Sequence, residues 1–240
     1  MRVKIFLFVC ALSCCLFSKG QQVIDVPYDF PIKPGTEKWK EFKTGQEMMA
    51  ACQIPAEILQ NMSTDALAET CLNYPLALDY SAYNDERVGI RSIINKFNGL
   101  QELAKRPDGA LALTKLYKGM PVDTKRARVS TRIKDNASIL HISYLELLLA
   151  DDNFKDLLST TECLELQKIV QSKYEEKLQH RNTYSLFSIK KSLLLGSMLV
   201  DKVKNHSLST DQKAKISEFA EHFENPDAFL IQEISTYIYK

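Results

Sequence analysis

The sequence predicts an all-α protein. Apolar residues recur at helical spacing from Thr36 almost to the end of the chain, and no stretch alternates with a period of two between hairpin turns. Glycine and proline number only 8 each, which is too few for a loop-rich β-sandwich. Because consecutive helices joined by short loops pack as antiparallel pairs, we expect an irregular helical bundle or a short α-solenoid.

The first twenty residues are typical of a secretory signal peptide. Arg2 and Lys4 precede an apolar stretch of about thirteen residues, Ile5 to Phe17, and small residues lead up to a cleavage site after Gly20. A bilayer-spanning helix needs about 20 apolar residues, so the stretch is short for a membrane anchor. We therefore predict a signal peptide over residues 1–20 and export to the periplasm or cell surface. A retained anchor and a lipid-modified Cys14 are the alternatives.

Residues 21–35 are expected to form an extended arm, because Pro27, Pro31 and Pro34 exclude a continuous helix. Residues 36–118 are expected to form a half made of short helices. Each of these helices has a cap or a breaker near its ends; the signals are Thr44 with Glu47, Pro55, Ser63, Pro75, Asn84, Asn98 with Gly99, Asp108 and Gly119.

Residues 119–136 are expected to form a basic linker. This segment has few large apolar side chains, and its charge comes from Lys125, Arg126, Arg128, Arg132 and Lys134. Binding of phosphate or an anionic polysaccharide is an alternative. The segment lacks the interleaved aromatic side chains that nucleic-acid binding uses, so a solvated connection is favoured.

Residues 137–240 are expected to form a half made of longer helices. The stretch from Ile139 to Ala150 is apolar on most sides, which predicts a central buried helix. An amphipathic helix from Thr161 to His180 and an apolar one from Thr183 to Asn205 follow. Ser209 with Gln212 starts another helix, and Asn225–Pro226 starts the last one.

The charge of the chain excludes some partners. The chain has 31 basic and 30 acidic residues, and loss of the three basic residues within positions 1–20 leaves a net charge of −2. Such a chain has no overall attraction for nucleic acid. We expect no nucleic-acid partner, no transmembrane helix in the mature chain and no cofactor, since the common nucleotide-binding and catalytic motifs are absent from the sequence.

Three cysteines remain after signal cleavage: Cys52, Cys71 and Cys163. In an oxidising compartment an odd number suggests one disulfide and one buried thiol. Cys52 ends one short helix and Cys71 lies on the apolar stripe of the helix two elements later, so we predict a Cys52–Cys71 disulfide and a free Cys163. Three reduced core cysteines are the alternative.

Two histidine pairs could contribute metal ligands. Glu176 with His180, and Glu218 with His222, are each four residues apart on a predicted helix, so each pair shares one helical face. A third ligand is not indicated for either pair. Ordinary surface pairing is therefore favoured, and we predict no metal site and no catalytic residues.

Three strings within residues 44–117 resemble a known group of proteins. They are Met48–Pro55, Asn61–Thr64 and Cys71–Leu76, followed by Asn98–Leu103. These strings are similar to those of uncharacterised, exported proteins from Bacteroidetes-type bacteria. The resemblance implies a bacterial envelope location and a helical fold; it implies no activity.

Two functional hypotheses follow. The first is a non-catalytic helical module of the bacterial cell envelope that binds a protein or a glycan between helices. The second is a hydrolase or metal-dependent enzyme whose site is assembled from scattered side chains, with Glu176/His180 or Glu218/His222 as candidates. A converging polar pocket with perturbed carboxylates would favour the enzyme, and a broad groove would favour the binding module.

Overall fold

A computed structural model describes residues 22–122, 137–203, 207–223 and 228–239, and this part of the chain is all-α. The expected signal peptide and residues 123–136 of the expected linker lie outside it. Within the described ranges there is no β-strand, and no helix is long and apolar enough to cross a bilayer.

The described helices come in two groups along the chain. The first group comprises α1 (Glu37–Glu41), α2 (Gly45–Ala51), α3 (Ala56–Asn61), α4 (Thr64–Leu72), a 3₁₀ helix (Ala77–Ala82), α5 (Glu86–Lys96), α6 (Asn98–Leu103) and α7 (Gly109–Gly119). The second comprises α8 (Ala137–Ala150), α9 (Asp152–Lys155), α10 (Thr160–Gln179), α11 (Leu186–Val203), α12 (Thr210–Glu221) and α13 (Ala228–Tyr239).

Residues 22–35 form the expected extended arm. Ile24 makes a parallel β-bridge with Met62; its amide donates to the Asn61 carbonyl at 2.8 Å. Further along, the Tyr28 amide donates to Thr70 Oγ1 at 2.8 Å, and the Phe30 ring is buried. The arm is therefore part of the packed body, since both its backbone and its side chains are engaged.

The short helices begin where the sequence places caps, with two differences. Ser63 Oγ accepts from the Ala66 amide at 3.2 Å, as expected of an N-cap. α5 is capped by Asp85, whose carboxylate accepts from the Arg87 amide at 2.8 Å, and not by Asn84. Asp108 precedes α7 without capping it, because its carboxylate accepts from Thr64 Oγ1 instead.

α8 lies at the centre of the molecule, as its apolar sequence predicts. Ile142, Leu145, Leu148 and Leu149 are completely buried. This helix packs against α4, α5 and α7 on the side of the short helices and against α11 on the other. The core of the described residues is one continuous hydrophobic cluster. The division into two halves stays a prediction.

α13 completes the second group by packing on α11 and α12. Gly196 of α11 permits a close approach, because a Cβ there would lie 2.8 Å from the Tyr239 hydroxyl oxygen. That hydroxyl donates to the Ser192 carbonyl at 2.9 Å, and Gln167 of α10 donates to the Ile238 carbonyl at 3.3 Å. Hydrogen bonds to two neighbouring helices, α10 and α11, therefore hold the last turn of α13.

The structure does not support the predicted Cys52–Cys71 disulfide. Both cysteines are free and fully buried, and so is Cys163, as predicted. The reason lies in packing: α4, which carries Cys71, packs mainly against α6 and α7, and α2 is not among its main partners. Cys52 instead faces the arm, with its Sγ 3.9 Å from the Ile32 carbonyl oxygen. Burial raises the pKa of the Cys52 thiol to about 11 and raises that of Cys71 further.

Native protein is expected to resist thiol alkylation, because the reactive species is the thiolate and burial disfavours it at all three cysteines. Iodoacetamide at mildly alkaline pH should label none of them before unfolding. In denaturant without reductant, mass spectrometry should show alkylation of Cys52, Cys71 and Cys163. Labelling of Cys163 alone under those conditions would show that Cys52 and Cys71 form a disulfide.

Candidate functional site

A cavity with a volume of about 630 Å³ lies between α10, the loop that follows it, α11 and α13. Its wall on α13 comprises residues at helical spacing, Ala228, Ile231, Gln232 and Ser235, which share one face of the helix. The volume is within the range of ligand pockets, roughly 300–1,000 Å³. This cavity is the candidate binding site.

Much of the cavity wall is apolar. Five of its eleven lining residues are aliphatic: Leu178 from α10, Leu186 and Ile189 from α11, and Ala228 and Ile231 from α13. Ile189 and Ile231 are buried, so the inner surface is apolar and fixed by packing. An apolar part of a ligand would therefore be desolvated there.

The polar groups that line the cavity differ in whether they already have hydrogen-bond partners within the protein. The Tyr184 hydroxyl donates to the Val122 carbonyl at 2.8 Å, and Ser235 Oγ donates to the Gln232 carbonyl at 2.7 Å. Arg181, in contrast, is exposed and makes no ion pair or hydrogen bond within the described chain. No described carboxylate lines the cavity. The site therefore has a positive character.

Exposed apolar side chains occur at the starts of α11 and α13, two of the helices that wall the cavity. Leu186 is 49% exposed and lines the cavity, whereas Phe187, 64% exposed, and Phe229, 75% exposed, do not line it. Since single exposed apolar residues are common on proteins, Leu186 is the exposed apolar residue that bears on the site.

A second candidate is a buried polar cluster formed by Tyr117, Glu146, Lys177 and Ser192. Lys177 Nζ lies 2.8 Å and 2.7 Å from the two carboxylate oxygens of Glu146, and both side chains are 0% exposed. The Tyr117 and Ser192 hydroxyls donate to Glu146 Oε1 at 2.8 Å and 2.7 Å. Lys177 also donates to Ser192 Oγ and to the Ser188 carbonyl.

Burial shapes the electrostatics of this buried polar cluster. It lowers the pKa of Lys177, while the adjacent Glu146 carboxylate opposes that shift. The pKa of Tyr117 is raised well above its usual value by burial and by the charge of Glu146. Tyr117 therefore stays neutral and serves as a hydrogen-bond donor. Nearby Lys173 has its pKa lowered by burial to about 8, and it donates to the Met120 carbonyl.

The buried polar cluster joins four helices, since Tyr117 lies on α7, and it is closed to solvent. Glu146 comes from α8, Lys177 from α10 and Ser192 from α11. The Tyr184 ring, whose centroid is 5.7 Å from Lys177 Nζ, is itself 1% exposed and lines the cavity. Because Tyr184 stands between the two features, a ligand in the cavity does not contact Lys177. The arrangement suits a structural ion pair better than a reacting group.

The histidine pairs are not assembled into a metal site in the structure. The His180 amide caps α10 by donating to the Glu176 carbonyl at 3.2 Å, and His222 Nδ1 lies 3.1 Å from the Glu218 carbonyl oxygen. Each contact is to the backbone of the glutamate. Across the described residues, no group of three histidine, cysteine or acidic side chains could hold a metal ion.

Sequence reasoning missed Arg181 and the whole buried polar cluster. A signal for the cluster exists, because Glu146 is the single acid in an otherwise apolar helix. Lys177 likewise follows Val170 and Tyr174 at helical spacing on the buried stripe of α10. Arg181 lies just beyond a helix end, where a basic residue is common, and gives no such signal.

The fold and the cavity define an all-α protein with a ligand-sized apolar site. No protein-family model, curated protein or solved structure matches the chain.

Proposed function

We propose that this protein is an exported, non-catalytic binding module of the bacterial cell envelope, and that its ligand occupies the cavity between α10, α11 and α13. The observation that carries the proposal is the cavity of about 630 Å³ with aliphatic inner walls. The expected signal peptide and the resemblance to exported proteins support the location.

The enzyme hypothesis has less support. An enzyme needs reacting groups that a substrate can touch. The strongest cluster of ionisable groups, Glu146 with Lys177, is fully buried, and the Tyr184 ring lies between it and the cavity. The Glu176/His180 and Glu218/His222 pairs make backbone contacts at helix ends.

Among binding partners, an apolar ligand or an apolar segment of a protein fits better than a glycan. Sugar rings commonly stack on exposed aromatic faces, whereas the two tyrosines that line the cavity, Tyr174 and Tyr184, are 7% and 1% exposed. The exposed large apolar side chain in the lining is the aliphatic Leu186, which favours apolar contacts.

Filling the cavity should abolish binding of a neutral apolar probe. Wild-type protein is expected to enhance the fluorescence of N-phenyl-1-naphthylamine by enclosing it, and Ser235→Trp should remove most of that enhancement because the indole occupies the cavity. Ser217→Trp, at an exposed position of α12, is the matched control and should bind as wild type does. Equal enhancement in both variants, or none in the wild type, would contradict the proposed site.

A further inference from the structure

We infer that the ligand is a single-chain amphiphile with an anionic head group, bound with its head at Arg181 and its chain along the aliphatic walls. The inference rests on the proposed function, since it assigns a ligand class to the same cavity. It combines three features of the described residues: an unpaired cation, a lining without carboxylates, and an apolar interior.

The charge at the site selects the sign of the head group. Arg181 lines the cavity, is exposed, and has no acidic partner among the described residues. A guanidinium binds a carboxylate through two parallel hydrogen bonds, which favours that head group over a hydroxyl. The other basic groups nearby do not compete, because Lys177 is neutralised by Glu146 at 2.7 Å and is enclosed.

The shape of the cavity suits a chain. Along α13 the lining residues run from Ala228 to Ser235, which is seven helical steps. At 1.5 Å per residue this wall is roughly 10 Å long, which corresponds to a medium-length alkyl chain. Leu178, Ile189 and Ile231 would contact the chain and remove it from water.

The test compares ligands that share one alkyl chain and differ in the head group. Calorimetric titration below the micelle concentration should show that decanoate binds roughly tenfold more tightly than decanol, and that decyltrimethylammonium binds no better than decanol. Arg181→Gln should reduce decanoate affinity to that of decanol while leaving decanol unchanged. Arg181→Lys should retain part of the preference, because it keeps the charge but loses the paired donors.

A matched control and a second lipid source complete the test. Lys168→Gln removes the same charge from an exposed position of α10 and should leave decanoate binding unchanged. Equal affinity for decanoate and decanol overturns the inference while the cavity remains a binding site. If no chain binds and the neutral naphthylamine probe also fails, the proposed function fails as well. Binding to anionic phospholipid vesicles without binding of monomeric decanoate also overturns the inference.

Discussion

Replacing Lys177 with methionine is expected to lower the free energy of unfolding by about 3–5 kcal/mol, one of the largest effects of any single substitution in this protein. The substitution leaves the Glu146 carboxylate, 0% exposed, without its cation. The Tyr117 and Ser192 hydroxyls still donate to that carboxylate, but they do not neutralise its charge. Urea denaturation followed by circular dichroism measures the loss.

Two further variants test whether the unpaired Glu146 charge causes the loss of stability in Lys177→Met. Lys168→Met alters an exposed lysine on the same helix, whose nearest acid, Glu165, lies 4.0 Å away, and it should leave stability nearly unchanged. The double variant Glu146→Leu/Lys177→Met removes both buried charges and should recover much of the loss. A Lys177→Met protein as stable as Lys168→Met would show that the buried ion pair is not needed for stability.

Gly89→Ala is the second substitution with a large expected effect, a destabilisation of about 3 kcal/mol. α5 packs on the 3₁₀ helix at this glycine. A Cβ there would lie 2.5 Å from the Tyr80 carbonyl oxygen and 2.7 Å from its Cα, both backbone atoms that cannot move independently. The clash should outweigh the roughly 1 kcal/mol by which alanine favours a helix over glycine. Thermal unfolding of the variant would show the change.

Gly45→Ala provides the comparison. Gly45 is also helical, in α2, but a Cβ there has no atom within 4 Å. Its substitution should leave the melting temperature unchanged or raise it, since only the conformational preference of the residue changes. If Gly89→Ala melts like Gly45→Ala, the approach of α5 to the 3₁₀ helix is looser than the structure indicates.

Helix content and helix starts were predictable because they depend on local chemistry. Ser63 and Ser209 cap helices, as the local sequence predicts. The apolar stretch that begins at Ile139 forms the central helix. Caps and apolar spacing act within a few residues and need no knowledge of the rest of the fold. The position of one cap shifted by a single residue, from Asn84 to Asp85, because both side chains can cap.

The disulfide and the site were not predictable because they depend on which helices meet. Eighteen residues separate Cys52 from Cys71, but that separation does not determine whether α2 and α4 pack together. The cavity likewise requires α10, α11 and α13 to converge, and its lining residues come from two separated parts of the sequence, 174–189 and 228–235. Arg181 is a candidate ligand-binding residue only because no acidic side chain of the described residues pairs with it in the folded chain.

The position of α13 links ligand binding to local unfolding. Its principal contacts are with α11 and α12, whereas the core around α8 is built by other helices. Detachment of α13 would therefore remove a wall of the cavity while most of the hydrophobic core stayed intact. A ligand that requires that wall binds only the closed state and shifts the equilibrium toward it by mass action. The free energy of closing α13 is thus part of the measured affinity, so a substitution in the last turn that weakens its docking, at Tyr239 for example, would weaken binding without touching the ligand.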